Sequence, residues 1–324
     1  MAAVARLAGV SMMTVSRVIR EPAKVAVATR MRVDDAIRKL GYVPNLTAGS
    51  LASKRSRIIG AIVPTIDNSI FAETVRGLSS LLEPAGYQLL LGQTAYRENA
   101  EEALVTAFLG RRVDGMVLTG VKHSSATVKR LKAAAIPVVE TWDLTSSPID
   151  MLAGFSNRGA GRAIATYLIG KGYVRLGFVG GAEGRTRARF SGFEAVVKAT
   201  PGASLVRVEN DAGTSFSGGR EALTNLLAEK APPRAVFFSN DALAVGGLME
   251  CHRRGLRVPD DIAIAGFADL DIAAESAPTL TTVHVGARRI GEEAARLLTR
   301  RLAGESIGET VLDLGFTVVE RQSA

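Results

Sequence analysis

From Ile58 onward, short apolar runs alternate with amphipathic stretches, and after Asn157 the alternation starts again. The first series reads IIGAIVP, YQLLLGQ, GMVLTG and PVVETW, with helical patterns such as FAETVRGLSSLLEPAG and VKRLKAAA between them. The second reads RLGFVGG, SLVRVEN, AVFFSN and IAIAGF, interleaved with GAGRAIATYLIGKG, SGFEAVVKA, GREALTNLLA and ALAVGGLMECHRRG. Apolar runs of strand length joined by helices long enough to cross over imply parallel sheets covered on both faces. A restart of the same pattern predicts two similar α/β lobes. A cleft lies between such lobes, and ligands favour the carboxyl ends of such strands.

The first 57 residues follow a different rule. Eleven of the 40 Lys/Arg but only three of the 32 acids lie there. That segment therefore holds the whole formal charge of +8, while 29 bases and 29 acids cancel in the rest. A basic head on a neutral body is the electrostatic footprint of a phosphate-backbone binder. Within it, AAVARLA places Val4, Ala5, Leu7 and Ala8 on one helical face, and Gly9 can end that helix with a positive φ. Ser11 can cap a second helix, Met12–Arg20, whose Val15, Val18 and Ile19 repeat at helical spacing, and Pro22 ends it. A third helix, about Thr29–Leu40, uses Val33, Ile37 and Leu40, and Gly41 closes it. Two short helices joined by a Gly-containing turn form a DNA-reading unit.

VARLAGVSMMTVSRVI followed by TRMRVDDAIRKLGYVPN resembles the head of LacI-family repressors, and the resemblance runs over nearly the whole chain. It implies an all-α helix-turn-helix head and a periplasmic-binding-protein-like body of two doubly wound parallel-sheet lobes. The division expected is a DNA-binding domain at 1–44, a hinge at 45–57, and an effector-binding and dimerisation domain at 58–324. Crossings between lobes are expected near Asn157, Thr282 and Asp313. By the resemblance, Met12, Met13 and Arg17 occupy base-reading positions, and Ser11, Thr14 and Ser16 contact phosphate or base. Arg17 can donate two hydrogen bonds to guanine, whereas the methionines offer apolar contact to thymine methyls or else pack in the core. In the hinge, Asn45, Ala48 and Leu51 match the segment that folds on operator DNA, with Leu51 as the minor-groove wedge. Gly49 disfavours helix there by roughly 1 kcal/mol relative to Ala.

Departures from the family pattern accompany the match. Relatives usually begin several residues earlier with a Thr cap, so Met1 is expected to be a late start. Ala26-Val27-Ala28 stands where Ser-Pro-Glu is frequent, and a lost cap costs on the order of 1 kcal/mol. The resemblance and the strand-end rule nominate effector residues. On the first lobe these are Asn68, Ser69, Phe71, Thr119, Trp142 and Asp143. On the second they are Arg187, Arg189, Phe216, Asn240, Asp241 and Asp269. The family's sugar-binding arginine maps to Arg189, ahead of Gly192-Phe193, and its Asn-Asp pair maps to Asn240-Asp241. Many relatives carry two acids after the Gly-Phe pair, where Ala268 precedes Asp269 here. Any one of these polar residues reads equally as a cap or turn residue, and Trp142 equally as core.

ETWDLTSSPIDMLAGFSNRGAGRA resembles the gluconate-repressor branch of the family. Arg185, Arg187 and Arg189 suit an anionic ligand, because a guanidinium fork binds a carboxylate bidentately. The expectation is a repressor that grips a near-palindromic operator as a homodimer and responds to a sugar or sugar acid such as gluconate. A global catabolite regulator gripping a phosphorylated carrier protein, or a regulator with another sugar effector, remains the alternative. An enzyme is disfavoured: His123, His252 and His284 lack metal spacing, and GFVGGAEG lacks a full dinucleotide fingerprint. No cofactor or metal is expected. The lone Cys251 excludes an internal disulfide and fits a reducing cytoplasm. No signal peptide or membrane span is indicated. The chain lacks a heptad tail, so a dimer is preferred to a tetramer.

Overall fold

The computed structural model describes residues 1–43, 55–66, 69–209 and 215–324, with Arg20 described by its backbone alone. It separates into two compact units, Met1–Ser56 and Arg57–Ala324.

In the first unit, α1 spans Ala2–Ala8 and α2 spans Met12–Arg20. Gly9 joins them at φ 63, and its N–H closes on the carbonyls of Ala5 and Arg6. This is a left-handed exit that glycine adopts without a Cβ penalty. The Ser11 hydroxyl accepts from the Thr14 N–H at 3.1 Å and caps α2. Pro22–Lys24 form a 3-10 turn. The third helix, α3, runs Val27–Leu40, starting two residues earlier than the sequence pattern suggests. Nothing in Val27-Ala28 breaks a helix, so the Thr29 and Arg30 N–H groups reach back to the Ala26 carbonyl. Among the described residues no side chain caps this end. Val4, Ala5, Ala8, Val15, Val18, Val33 and Ala36 form the core. The expected apolar faces are narrower than the pattern implied: Leu7 and Leu40 are exposed, and Ile19 and Ile37 are half-buried. Such short helices bury only the stripe that their two neighbours cover.

The second unit holds two sheets of the same winding. Strands β1 (Ile58–Val63), β2 (Gln88–Gln93), β3 (Gly115–Thr119), β4 (Val138–Thr141) and β5 (Met151–Gly154) belong to the first. Strands β6 (Arg175–Gly180), β7 (Ser204–Glu209), β8 (Ala235–Phe238), β9 (Ala263–Ala268) and β10 (Thr281–His284) belong to the second. Two short strands, β11 (Val311–Asp313) and β12 (Thr317–Val319), are shared out one to each sheet. The orders are β11-β5-β4-β3-β1-β2 and β12-β10-β9-β8-β6-β7. All pairings are parallel except β10 with β12. The chain leaves the first sheet after Gly154, leaves the second after His284 and crosses once more after Asp313. Thr282 itself lies inside β10, and the chain leaves the sheet two residues further on, after His284.

Helices α4 (Ser69–Leu82), α5 (Glu98–Gly110) and α6 (Ser125–Ala134) follow strands of the first lobe. Helices α7 (Asn157–Gly170), α8 (Gly184–Ala199), α9 (Phe216–Leu227), α10 (Asp241–Arg253) and α11 (Asp271–Glu275) serve the second. Helix α12 (Ala287–Leu302) returns to the first lobe and packs on α4. Glycines set the closest helix crossings. A Cβ on Gly161 of α7 would lie 1.9 Å from the Arg189 carbonyl, and one on Gly192 of α8 would lie 2.0 Å from that of Arg158. The same reciprocity joins Gly77 of α4 to Gly291 of α12. The core beneath is aromatic: Phe193 and Phe237 stack at 5.6 Å with Phe178 edge-on to both. Truncating one such buried ring to Ala costs about 3–5 kcal/mol. Among the described residues no single helix is long and apolar enough to cross a membrane.

Candidate functional site

On α2 the buried face is Val15 and Val18, which leaves Met12, Met13, Ser16 and Arg17 on the opposite side. Met12 is 56% and Met13 73% exposed, so neither methionine packs in the core. Residues 12 and 16, and 13 and 17, are one helical turn apart, and the four form a single face. Ser11 and Thr14 are tied to each other at 2.9 Å, and Ser11 is also the helix cap. Asn45, Ala48 and Leu51 lie outside the described residues.

In the second unit a cavity of 240 Å³ opens between the lobes at the strand ends. The first lobe lines it with Thr94, Tyr96, Arg97, Glu98 and Glu101 after β2, with Thr119–Lys122 after β3, and with Asp143 after β4. The second lobe contributes Glu183, Gly184, Arg185 and Arg187 from the start of α8. Arg185 spans the gap: its Nη1 donates to the Thr119 carbonyl at 3.4 Å, and its guanidinium sits 5.7 Å from the Phe71 ring.

One carboxylate of this wall has its own partner. Glu101 Oε1 is 2.8 Å from His123 Nδ1, and Glu140 Oε1 is 3.4 Å from His123 Nε2 without forming a hydrogen bond. Burial alone would depress the imidazole. The hydrogen bond to Glu101 and the charges of Glu101 and Glu140 outweigh it and raise the pKa to about 9. Ser124 donates to Glu102 at 2.6 Å and caps α6, so two neighbouring α5 carboxylates pin the loop that carries Lys122.

Of the expected effector residues, Thr119, Asp143 and Arg187 line this cavity. Phe71 is buried beneath Arg185, and Asn68 lies outside the described residues. Arg189 is one turn deeper than Arg185 and 6% exposed. Its Nη1 donates to Asn157 Oδ1 at 2.5 Å, its Nη2 to Thr186 Oγ1 at 2.8 Å, and its guanidinium covers Phe267 at 4.2 Å. Burial lowers its pKa to about 10, opposed by Glu183, so it stays charged at neutral pH. Trp142 is 1% exposed and its indole N–H donates to Thr74.

Asn240 caps α10 by accepting from the Leu243 N–H at 2.9 Å. Asp241 is fully buried; it accepts from Thr282 at 2.6 Å and from the Leu270 N–H at 2.7 Å, and burial raises its pKa to about 6 against those bonds. Asp269 pairs with Arg321 at 2.7 Å and His284 at 3.0 Å, and with Ser69 it lines a second cavity of 480 Å³. Phe216 is exposed at the start of α9 and lines neither cavity. Tyr96, Arg97 and Lys122 line the cavity without being among the residues expected from sequence. All three follow strand ends, so the strand-end rule applied to β2 and one step past β3 finds them.

A three-helix reading head joined to a two-lobed body with a cleft defines a DNA-binding regulator. Comparison with known proteins agrees. A model described as bacterial regulatory proteins of the lacI family matches residues 1–45, and one described as a periplasmic binding protein-like domain matches residues 165–324. The HTH-type transcriptional regulator GntR of Escherichia coli (strain K12) is 38% identical over 318 residues, covering 97% of this chain and 95% of that protein. GntR of Pseudomonas aeruginosa is 36% identical over 325 residues, covering 99% and 94%. A crystal structure of a LacI-family regulator from Silicibacter pomeroyi superposes with a TM-score of 0.93 at 35% identity, over 99% of this chain and 98% of that one. The chain belongs to the LacI family. It is a transcriptional repressor of the LacI type, similar to GntR regulators, and not an enzyme.

Proposed function

We propose that this repressor works as a cytoplasmic homodimer whose hold on a near-palindromic operator is set by gluconate or a related sugar acid in the cleft between the lobes. The division that goes with this is a reading head at 1–44, a hinge at 45–57 and an effector and dimerisation domain from 58. The observation that carries the ligand class is the charge of the cleft. Arg97, Lys122, Arg185 and Arg187 line it, and among the described residues none is ion-paired to a carboxylate. Of the four acids there, Glu101 is answered by His123, and Glu183 lies 3.8 Å from Arg189. Glu98 and Asp143 remain, which leaves an excess of two positive charges for a carboxylate. Thr94, Thr119 and Asp143 supply hydroxyls and an acceptor suited to a polyol. A volume of 240 Å³ is small for a ligand pocket and fits a monosaccharide-sized acid.

In the head, Arg17, Met12 and Met13 are the base-reading residues, with Ser11, Thr14 and Ser16 contacting phosphate or base. Asn45, Ala48 and Leu51 are assigned to the hinge contacts. A ligand that prefers the closed cleft moves the first lobe, to which the hinge is joined in sequence. Its effect on operator affinity is bounded by its preference for one state over the other. Calorimetric titration with gluconate and with its uncharged counterpart glucitol tests the assignment. Heat with gluconate and little with glucitol is expected, whereas equal responses or none would remove the sugar-acid reading.

A further inference from the structure

We propose that Asn157 is a positioning residue that ties Arg189, behind the effector cleft, to a strained turn of the first lobe, and that relaxing this turn releases the operator-binding state. The inference rests on reading the cleft as the effector site.

Asn157 is wholly buried where the chain passes from one sheet to the other, and both ends of its amide are engaged. Its Oδ1 accepts from Arg189 Nη1 at 2.5 Å, and its Nδ2 donates to the Trp142 carbonyl at 2.8 Å. Of the side chains of this size, only asparagine offers an acceptor and a donor together; aspartate only accepts, and leucine does neither.

Arg189 is fixed from the second lobe by Thr186, by Phe267 and by the close glycine crossing of α7 and α8, yet among the described residues its buried Nε has no partner. An unmatched buried donor one turn below Arg185 gives this guanidinium a reason to shift when an anion fills the cleft.

On the other side, Trp142 holds φ at 71, a region that bulky residues rarely adopt and that persists only when its surroundings over-determine it. The turn has little room. A Cβ on Gly154 would come within 2.1 Å of the Asp143 carbonyl. Asp143 faces the cleft, while the Trp142 indole donates to Thr74 of α4 at 3.1 Å and Thr74 donates to the Ala287 carbonyl of α12 at 3.0 Å. The turn therefore touches the cleft on one side and the α4–α12 pair on the other. It is a physical candidate for the two-state element that coupling requires.

The test uses the full-length protein, an operator selected from random duplexes, and two variants. Asn157→Asp keeps the acceptor for Arg189 and removes the donor to Trp142. Thr74→Val cuts the chain beyond Trp142 and touches neither Arg189 nor the cleft. Each variant is expected to bind operator about tenfold more weakly than wild type without ligand, and to respond little to gluconate. Each should still show gluconate heat in calorimetry. Emission of Trp142, the single tryptophan, should change with gluconate in wild type and not in the variants. Wild-type operator affinity in both variants overturns the relay whatever the effector is. If Asn157→Asp fails to fold, Thr74→Val decides alone. Absence of gluconate heat in wild type overturns the effector assignment instead, and the ligand-free operator affinities still decide the relay.

Discussion

His123 Nδ1 lies 2.8 Å from Glu101 Oε1, joining the loop after β3 to the helix after β2 at the wall of the cleft. The imidazole is a structural cation between Glu101 and Glu140, with side-chain exposures of 2%, 13% and 2%. It holds the rim that presents Lys122.

A pH dependence of stability follows. The folded pKa of His123, about 9, is raised above its ordinary 6.5. Its contribution is therefore fully present below pH 6.5 and is lost as pH rises through 9. At about 1.4 kcal/mol per unit the contribution is on the order of 3 kcal/mol. Melting curves between pH 6 and 10, each an ordinary buffer point, should show a decline in wild type that is absent in His123→Gln. Parallel profiles would show that the cluster is not a protonated one.

Charge recognition in the cleft makes a second prediction. Arg187→Ala removes from the wall an exposed cation that has no ion-pair partner among the described residues, and should weaken gluconate by roughly 1.5–3 kcal/mol, the worth of a charged hydrogen bond. The weak affinity for glucitol should hardly move. Calorimetry with both ligands checks this, and an equal loss for both would point to a general collapse of the site.

At the reading head, Arg17→Ala should relax preference at one base pair per half-site and cost about 1–3 kcal/mol. Selection from random duplexes with wild type and variant reads this directly. Unchanged preference at every position would place Arg17 on phosphate.

Capping offers a fourth prediction. Ala26 starts α3 with no side-chain hydrogen bond, so Ala26→Ser should stabilise the head by about 1 kcal/mol. Slower hydrogen exchange at the first α3 amides is the expected reading. Faster exchange would mean that this end already has another partner.

How much of this was legible depends on how local each signal is. Helices α1 and α2 run over the expected residues because Gly9 and Ser11 end and start them through adjacent atoms. The inner strands β1, β3, β4, β6, β8 and β9 appear because each is an apolar run buried along almost its whole length, whereas the edge strands β2 and β7 keep exposed positions. Strands β5 and β10 did not stand out, since four residues such as MLAG or TTVH become strands only between neighbours already in place. Helix α12 is different: Ile290, Ala294, Leu297 and Leu298 are buried along one stripe that the sequence displays. Depth was the harder quantity. Arg185 and Arg189 are four residues apart on one helix face, yet the first reaches the cavity and the second lies under it against Phe267. Asn240 and Asp241 sit at a strand end as expected, but their oxygens already serve a helix cap, Thr282 and the Leu270 N–H.

The most direct test of the whole account is the operator affinity of the full-length protein as gluconate is added. The account predicts binding in its absence and a fall by roughly 5–150-fold at saturation, the usual range of allosteric coupling. Operator binding that is indifferent to gluconate and to other sugar acids would contradict it.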